Sequence, residues 1–419
     1  MKKLTIAMVA PPWLTVPATG YGGTESVIDH LCRGLYDAGV CVDFYGVEGS
    51  TTPARRHYWT YPNEQYDKLT NGLDDPSPIP LTHLMQVIEQ IQRRGGYDLI
   101  HDHNNFFGPV VLANHAGLPP VLHTLHGPFV TTERRNQGFI DSDSLYTLLS
   151  HNDRLYFNAI SRAQADQAPV PLRKKIVAVI HHGIDVAGRS MTEAKDDYFV
   201  TVGRIAAEKN TGLAAKLCAK LGVPFKIAGV VGGIDNPREL TRALADSQQT
   251  GRIADLAYFR DNVVPHLKSG QIEYVGSVAG TAKDQLIGRA KAFLMPIAWD
   301  EPFGVAIIDA LVCGTPVVAM NRGSMPEIIE HGVNGFLADT PEEFAHYMLR
   351  VGEIDPTDCR RSVEEKFSYQ FMAQRYAATY ERIIKRHASV SRPVSLLPTW
   401  RPQPAFYEKL TKDRRKPSS

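Results

Sequence analysis

Two acids, Glu301 and Asp309, stand eight residues apart in the run Asp300-Glu301-Pro302-Phe303-Gly304-Val305-Ala306-Ile307-Ile308-Asp309. The Pro-Phe-Gly turn opens straight into an apolar, helix-like segment. Glu301 therefore sits at a loop mouth, with Asp309 a little over two turns further on and facing nearly the same side. A loop that opens a helix presents unpaired N–H groups, here those of Phe303, Gly304 and Val305, and the positive end of the helix dipole. Two acceptors flanking a row of donors suit a ligand with hydroxyls at both ends and phosphate between them, as in a nucleotide-sugar.

Two cations form the second constellation. Arg204 and Lys209 follow Gly203 at the end of the strand-like run Tyr198–Val202. The C-terminal end of a strand is where α/β folds bind ligands. Arginine offers a bidentate fork and lysine a point charge, and both fit a diphosphate. Near the start, Gly20-Tyr21-Gly22-Gly23 precedes a helix beginning at Thr24-Glu25. Gly22 and Gly23 let the backbone approach an anion closely. The loop lacks the G-x-G-x-x-G spacing of dinucleotide binders, which argues against a dehydrogenase. His126 ends the strand-like run Pro120–Leu125, and His101-Asp102-His103 end one that begins at Leu99-Ile100. No matching ligand cluster elsewhere favours a metal site there, so Asp102 and His103 are expected to face an acceptor. Asp141-Ser142-Asp143 lies in a polar loop and is read as a chance pair of acids.

Strands alternate with helices throughout. Leu4–Ala10, the Gly loop, a helix carrying Val27, Ile28, Leu31 and Leu35, and Val40–Tyr45 make a βαβ unit of an open parallel sheet. Residues 49–80 are polar and Pro-rich and are read as loops, as are the acceptor-side residues 129–150. Leu81, Leu84, Ile88 and Ile91 mark a further helix. Gly183-Ile184-Asp185 closes this half, and Arg189–Asp197 reads as a linker. The pattern restarts at Tyr198, with strands at Phe225–Val230, Ile272–Val275, Ala292–Pro296 and Pro316–Ala319. The expected architecture is α/β with two doubly wound domains, 1–187 and 198–368. A helix over 369–388 and a basic, Pro-rich tail over 389–419 follow.

At 419 residues two domains are the natural division. The net charge of +1, from 46 basic and 45 acidic residues, gives no global attraction to nucleic acid or anionic lipid. The basic tail leaves peripheral membrane contact open. Five widely spaced cysteines with no Cys-x-x-Cys pair point to a reducing cytoplasm rather than a disulfide framework. The apolar run after Met1-Lys2-Lys3 stops at Pro11-Pro12, too early for a spanning helix, and no other stretch approaches that length.

The Glu301–Asp309 segment resembles the Glu-x7-Glu signature of the retaining glycosyltransferases of family 4, which have the GT-B fold. Asp309 departs from the usual Glu and is one methylene shorter. The resemblance extends to the Gly loop, to Gly203-Arg204…Lys209 and to the segment from about Tyr274 to Leu337. It implies two Rossmann-like domains facing each other across a cleft, with the helix from Tyr369 crossing back onto the first. A nucleotide-sugar donor then binds mainly to the second domain, and a hydroxyl acceptor (glycan, lipid or small molecule) to the first.

By that resemblance Arg204 and Lys209 neutralise the leaving diphosphate, Glu301 and the Phe303–Val305 amides hold sugar hydroxyls, and Asp309 reaches toward the ribose. His126 orients the sugar, the Gly22-Gly23 loop closes over the donor, and Gly276 with Lys283 lies beside the base. Glu327, in the Gly-x-Pro-Glu-like turn Asn321–Glu327, reads as structural. No metal or other cofactor is required, and the product keeps the donor's anomeric configuration. Phosphorylase or epimerase chemistry on the same fold, and a non-catalytic nucleotide-sugar or glycan binder, are the alternatives.

Overall fold

A computed structural model of the chain describes residues 3–20, 22–70, 75–129, 143–268 and 270–390. Two wholly parallel sheets carry the fold. The first has seven strands in the order β3-β2-β1-β4-β5-β6-β7. They are β1 (Thr5–Val9), β2 (Cys41–Val47), β3 (Arg56–Tyr61), β4 (Leu99–Asp102), β5 (Val121–Leu125), β6 (Leu155–Ala159) and β7 (Ile176–Val179). The second has six, in the order β10-β9-β8-β11-β12-β13. They are β8 (Phe199–Val202), β9 (Phe225–Ala228), β10 (Ile272–Gly276), β11 (Ala292–Met295), β12 (Val317–Met320) and β13 (Gly335–Ala338). Every residue of β1 and of β11 is buried, as expected of parallel strands covered by helices on both faces.

Strand order reverses beside β1 in the first sheet and beside β8 in the second. Each reversal opens a crevice at the carboxyl ends of the strands, where open α/β sheets bind ligands. The Gly22-Gly23 loop leaves the end of β1, and Gly203-Arg204 leaves the end of β8. Five helices frame the crevices: α1 (Gly23–Asp37), α2 (Arg162–Gln167), α3 (Gly280–Gly288), α4 (Val305–Val312) and α5 (Tyr369–Val390). Helix α5 follows the second sheet yet packs on the first. Its Met372, Ala373, Tyr376, Tyr380 and Ile383 share a buried cluster with Ile28, Leu31 and Leu35 of α1.

Several stretches differ from the sequence reading, among them β13, where no strand is expected. Residues 49–80 are not all loop. Arg56–Tyr61 pairs in parallel with β2 as the sheet's edge strand, and Tyr58 stacks on Tyr45 at 4.8 Å between ring centroids. Only Tyr58 and Thr60 of this strand turn fully inward, so its apolar signal is thin. Leu81 is 41% exposed, and Ile79 and Val87 help cover the sheet in its place. Within 129–150, Asp143–Leu149 is helical. Asp141 and Ser142, and the tail from 391, lie outside the described residues, so the pairing of Asp141 with Asp143 does too.

Candidate active site

The two crevices face each other and merge into one cleft of about 450 Å³. From the first sheet, Gly22, Gly23 and His126 line it. From the second come Gly203, Arg204, Lys209, Glu301, Gly304, Val305 and Asp309. These ten sequence candidates, drawn from positions 22 to 309, meet in one place.

Glu301 precedes α4 rather than sharing its helix, so Asp309 lies about one turn in. The helix begins at Gly304, a cap with φ 88°, a left-handed conformation that favours glycine. A Cβ there would sit 3.2 Å from both Ile307 Cδ1 and Met325 Cε. Gly304 has no side-chain cap, so the amides of the first turn open on the cleft. The turn around Gly323 holds this loop from behind. Ser324 N–H donates to the Glu301 carbonyl at 3.0 Å and Ser324 Oγ to the Phe303 carbonyl at 2.8 Å. Gly323 has φ 56°, and a Cβ on it would lie 2.5 Å from Glu301 backbone atoms.

Arg204 and Lys209 are each paired with a carboxylate. The Arg204 guanidinium bonds Glu208 and lies 3.1 Å from Asp255. Lys209 Nζ bonds Glu301 Oε2, and Trp299 Nε1 donates to the same oxygen at 2.8 Å. Lys209 also lies over the Trp299 ring, 5.3 Å from its centroid. Trp299 carries no signal of its own in the sequence, although it stands two residues before Glu301.

Asp309 meets Lys283 at 2.8 Å and Arg189 at 3.1 Å. Burial works to raise its pKa, but Lys283 and Arg189 outweigh it and hold the carboxyl below its ordinary value. The sequence places Arg189 at the start of the linker. It lines the cleft instead and also pairs with Asp284. An isolated Arg in a polar stretch carries no periodic signal, so only the folded chain reveals it. His30, on α1, completes this end of the cleft.

Four candidates fall elsewhere. Phe303 is 2% exposed and packs edge-on against His182, 5.0 Å between centroids, so of the run Phe303–Val305 Gly304 and Val305 line the cleft and Phe303 does not. Gly276 lies behind the lining, its carbonyl accepting from Gly229 N–H at 2.9 Å. Asp102 and His103 do not line the cleft, because both side chains are buried beneath it. Asp102 is fully buried and bonds His123 Nδ1 at 2.6 Å and the Asn104 side-chain amide at 3.0 Å. His103 Nδ1 lies 2.8 Å from His126 Nε2. Among the described residues no group of three or more His, Cys, Asp or Glu side chains is placed to hold a metal ion. Nor is any helix among them long and apolar enough to cross a membrane.

Glu25, in the first turn of α1, is 5% exposed, and burial pushes its carboxyl up to about 7. Glu327 bridges the two halves: it accepts from the N–H groups of Arg162 and Ala163 at 2.8 Å each and from His181 Nε2 at 2.9 Å.

Comparison with known proteins agrees with this geometry. The family described as Glycosyltransferase Family 4 matches residues 21–187, and that described as Glycosyl transferases group 1 matches residues 189–366. A D-inositol 3-phosphate glycosyltransferase of Kribbella flavida is 25% identical over 417 residues, 88% of this chain and 92% of the relative. Sucrose-phosphate synthase from Thermosynechococcus elongatus superposes with a TM-score of 0.70 at 17% identity, over 91% of this chain and 100% of that one. Anabaena HepE in complex with UDP and glucose gives 0.64 at 17% identity, over 90% and 100%. The two family matches meet between the two sheets and take in both faces of the cleft, and the chain belongs to the group 1, family 4 glycosyltransferases of GT-B fold.

Proposed function

We propose that this glycosyltransferase is a retaining hexosyltransferase. It moves a hexose from a nucleoside diphosphate sugar, of UDP-glucose or GDP-mannose type, to a hydroxyl of a glycan, lipid or small-molecule acceptor, without a metal. The observation that carries the reading is the joint placement of Arg204, Lys209, Glu301, Asp309 and the uncapped start of α4 on one wall of the cleft. The UDP and glucose bound by the HepE relative support the donor class, and the inositol-phosphate relative supports a hydroxyl acceptor. All five cysteines are unpaired, in keeping with a reducing cytoplasm.

In this reading the acceptor oxygen bonds the anomeric carbon as the bond from that carbon to the phosphate oxygen breaks. The acceptor proton passes to the leaving phosphate on the same face, which preserves configuration. Negative charge grows on the diphosphate, and Arg204 and Lys209 exchange their carboxylate partners for it. Trp299, which keeps its bond to Glu301, holds that carboxylate as a hydroxyl acceptor rather than a nucleophile. Gly22 and Gly23 close over the phosphates from the opposite wall.

The test is a thermal-shift panel with UDP, GDP, ADP and dTDP in metal-free buffer. A nucleotide at about 100 times its dissociation constant adds roughly 2.7 kcal/mol to stability. One base should stabilise the chain clearly above the others, and Arg204→Ala should abolish that shift. A folded chain that none of the four stabilises removes the nucleotide-sugar reading.

A further inference from the structure

Beneath the cleft floor a row of imidazoles runs inward from His126. His126 is partly exposed and lines the cleft. Its Nε2 lies 2.8 Å from Nδ1 of His103, which is 1% exposed. The bonded nitrogen of His126 thus faces the interior, and Nδ1 is the one left for a ligand. His103 rests on the ring of His101, 4.2 Å between centroids. His101 is itself held by Tyr380 Oη at 2.7 Å and Thr124 Oγ1 at 2.8 Å. His182 stacks on His126 at 5.5 Å.

We infer that His103 is a positioning residue for His126: it donates from Nδ1 to His126 Nε2, and so fixes His126 as the tautomer that offers the cleft an N–H donor instead of a base. Desolvation, complete at His103 and partial at the cleft wall for His126, together with the neighbouring imidazoles lowers both rings well below the usual histidine range and favours their neutral forms. Each neutral ring carries one proton, and only one proton lies between the bonded nitrogens. His103 Nε2 is buried and has no hydrogen-bond partner. If His126 were the donor, the proton of His103 would have to sit on Nε2 as an orphaned buried N–H, the rarest of unpaired polar groups. With His103 as donor, that nitrogen is a bare lone pair. His126 then carries its proton on Nδ1, where a sugar oxygen can accept it.

The effect on transfer rests on the reading of the cleft as a sugar-transfer site; the tautomer does not. The experiment therefore begins without substrate. Two-bond ¹H–¹⁵N spectra of the full chain, labelled at histidine, distinguish the two tautomers, and His126→Asn assigns the signal. The expected result is a proton on Nδ1 of His126 and a bare Nε2; a proton on Nε2 overturns the inference. In the second arm, His103→Asn keeps an N–H donor near the position of Nδ1 and should stay close to wild-type kcat/KM. His103→Leu removes the donor and should lower kcat/KM roughly 5- to 10-fold. A folded His103→Leu chain with unchanged kcat/KM also overturns the role of His103. Should His103→Leu not fold, the spectrum of the unaltered chain decides alone. Failure of the transferase reading would appear separately, as a chain with the expected tautomer but no nucleotide-induced stabilisation.

Discussion

Asp309 keeps its charge although it is only 7% exposed. A carboxylate taken out of water is costly unless cations and hydrogen bonds replace the water, and removing one partner of such a cluster costs about 3–5 kcal/mol. Lys283 and Arg189 supply that replacement, and Asp284 balances the second cation. The resemblance leads one to expect glutamate at this position, and the shorter acid is matched here by two side chains that reach in to meet it. Asp309→Glu would push the carboxylate about 1.5 Å further, one C–C bond, into groups already at contact distance. Overpacking of this kind costs about 1–3 kcal/mol. The variant should melt a few degrees lower and lose about tenfold in kcat/KM for the donor. An Asp309→Glu enzyme with raised activity at unchanged melting temperature would show instead that the shorter acid is a handicap.

Helix α1 shows the same contest with the opposite outcome. Glu25 stands in its first turn, where a carboxylate gains from the helix dipole, and the sequence suggests that role. Burial overrides it: desolvation, with a smaller contribution from Glu64, lifts the carboxyl from 4.5 to about 7. A group whose folded pKa is raised binds more protons folded than unfolded. Its protonated form therefore favours the fold at low pH, and that contribution fades as pH rises from about 4.5 through about 7. A shift of this size is worth roughly 3 kcal/mol across the window. Melting temperature should fall between pH 5 and pH 8 in the wild type, and Glu25→Gln should flatten that slope. A variant with the same slope as the wild type would clear Glu25 of any part in it. What the sequence reveals and conceals at this scale has one cause. β1, β8 and β11 are short, mostly apolar runs bounded by prolines, glycines or polar residues, and the sequence pattern finds them. β3 turns only two residues fully inward, and β13 is four residues beginning at glycine, so neither has enough pattern. The cleft follows the same division. Glu301, Arg204 and Lys209 announce themselves by type and spacing. Arg189 and the burial of Asp102, His103 and Glu25 arise from partners 20 to 120 positions away, or from packing alone, and no local pattern encodes those; Trp299 takes its place from Lys209, 90 positions away, as well as from Glu301 beside it.

At the scale of the whole chain, the cleft exists only while the two sheets face each other, and Glu327 is placed to keep them so. Its two oxygens cap the first turn of α2 in the opposite half, through the N–H groups of Arg162 and Ala163, and one also accepts from His181. Burial works against its charge, but His181 and the two N–H groups outweigh it and hold the carboxyl below its ordinary value. The contribution of such an acid is fully present above its unfolded pKa and is lost as pH falls through the folded one. Beside it, Gln167 of α2 donates to Asp300 at 3.1 Å. The turn that carries Glu327 also holds the Glu301 carbonyl through Ser324, so closure of the halves and the setting of Glu301 are one mechanical unit. Charge-assisted bonds of this kind are worth about 1.5–3 kcal/mol each, and Glu327→Ala removes three while leaving Arg204 and Lys209 untouched. The variant should therefore still be stabilised by the nucleotide that stabilises the wild type. It should lose about tenfold or more in kcat/KM and show a larger radius of gyration by small-angle scattering. A Glu327→Ala chain as compact as the wild type would mean that α5 and the linker hold the halves together without this carboxylate. Loss of nucleotide binding would instead place Glu327 within the donor site itself.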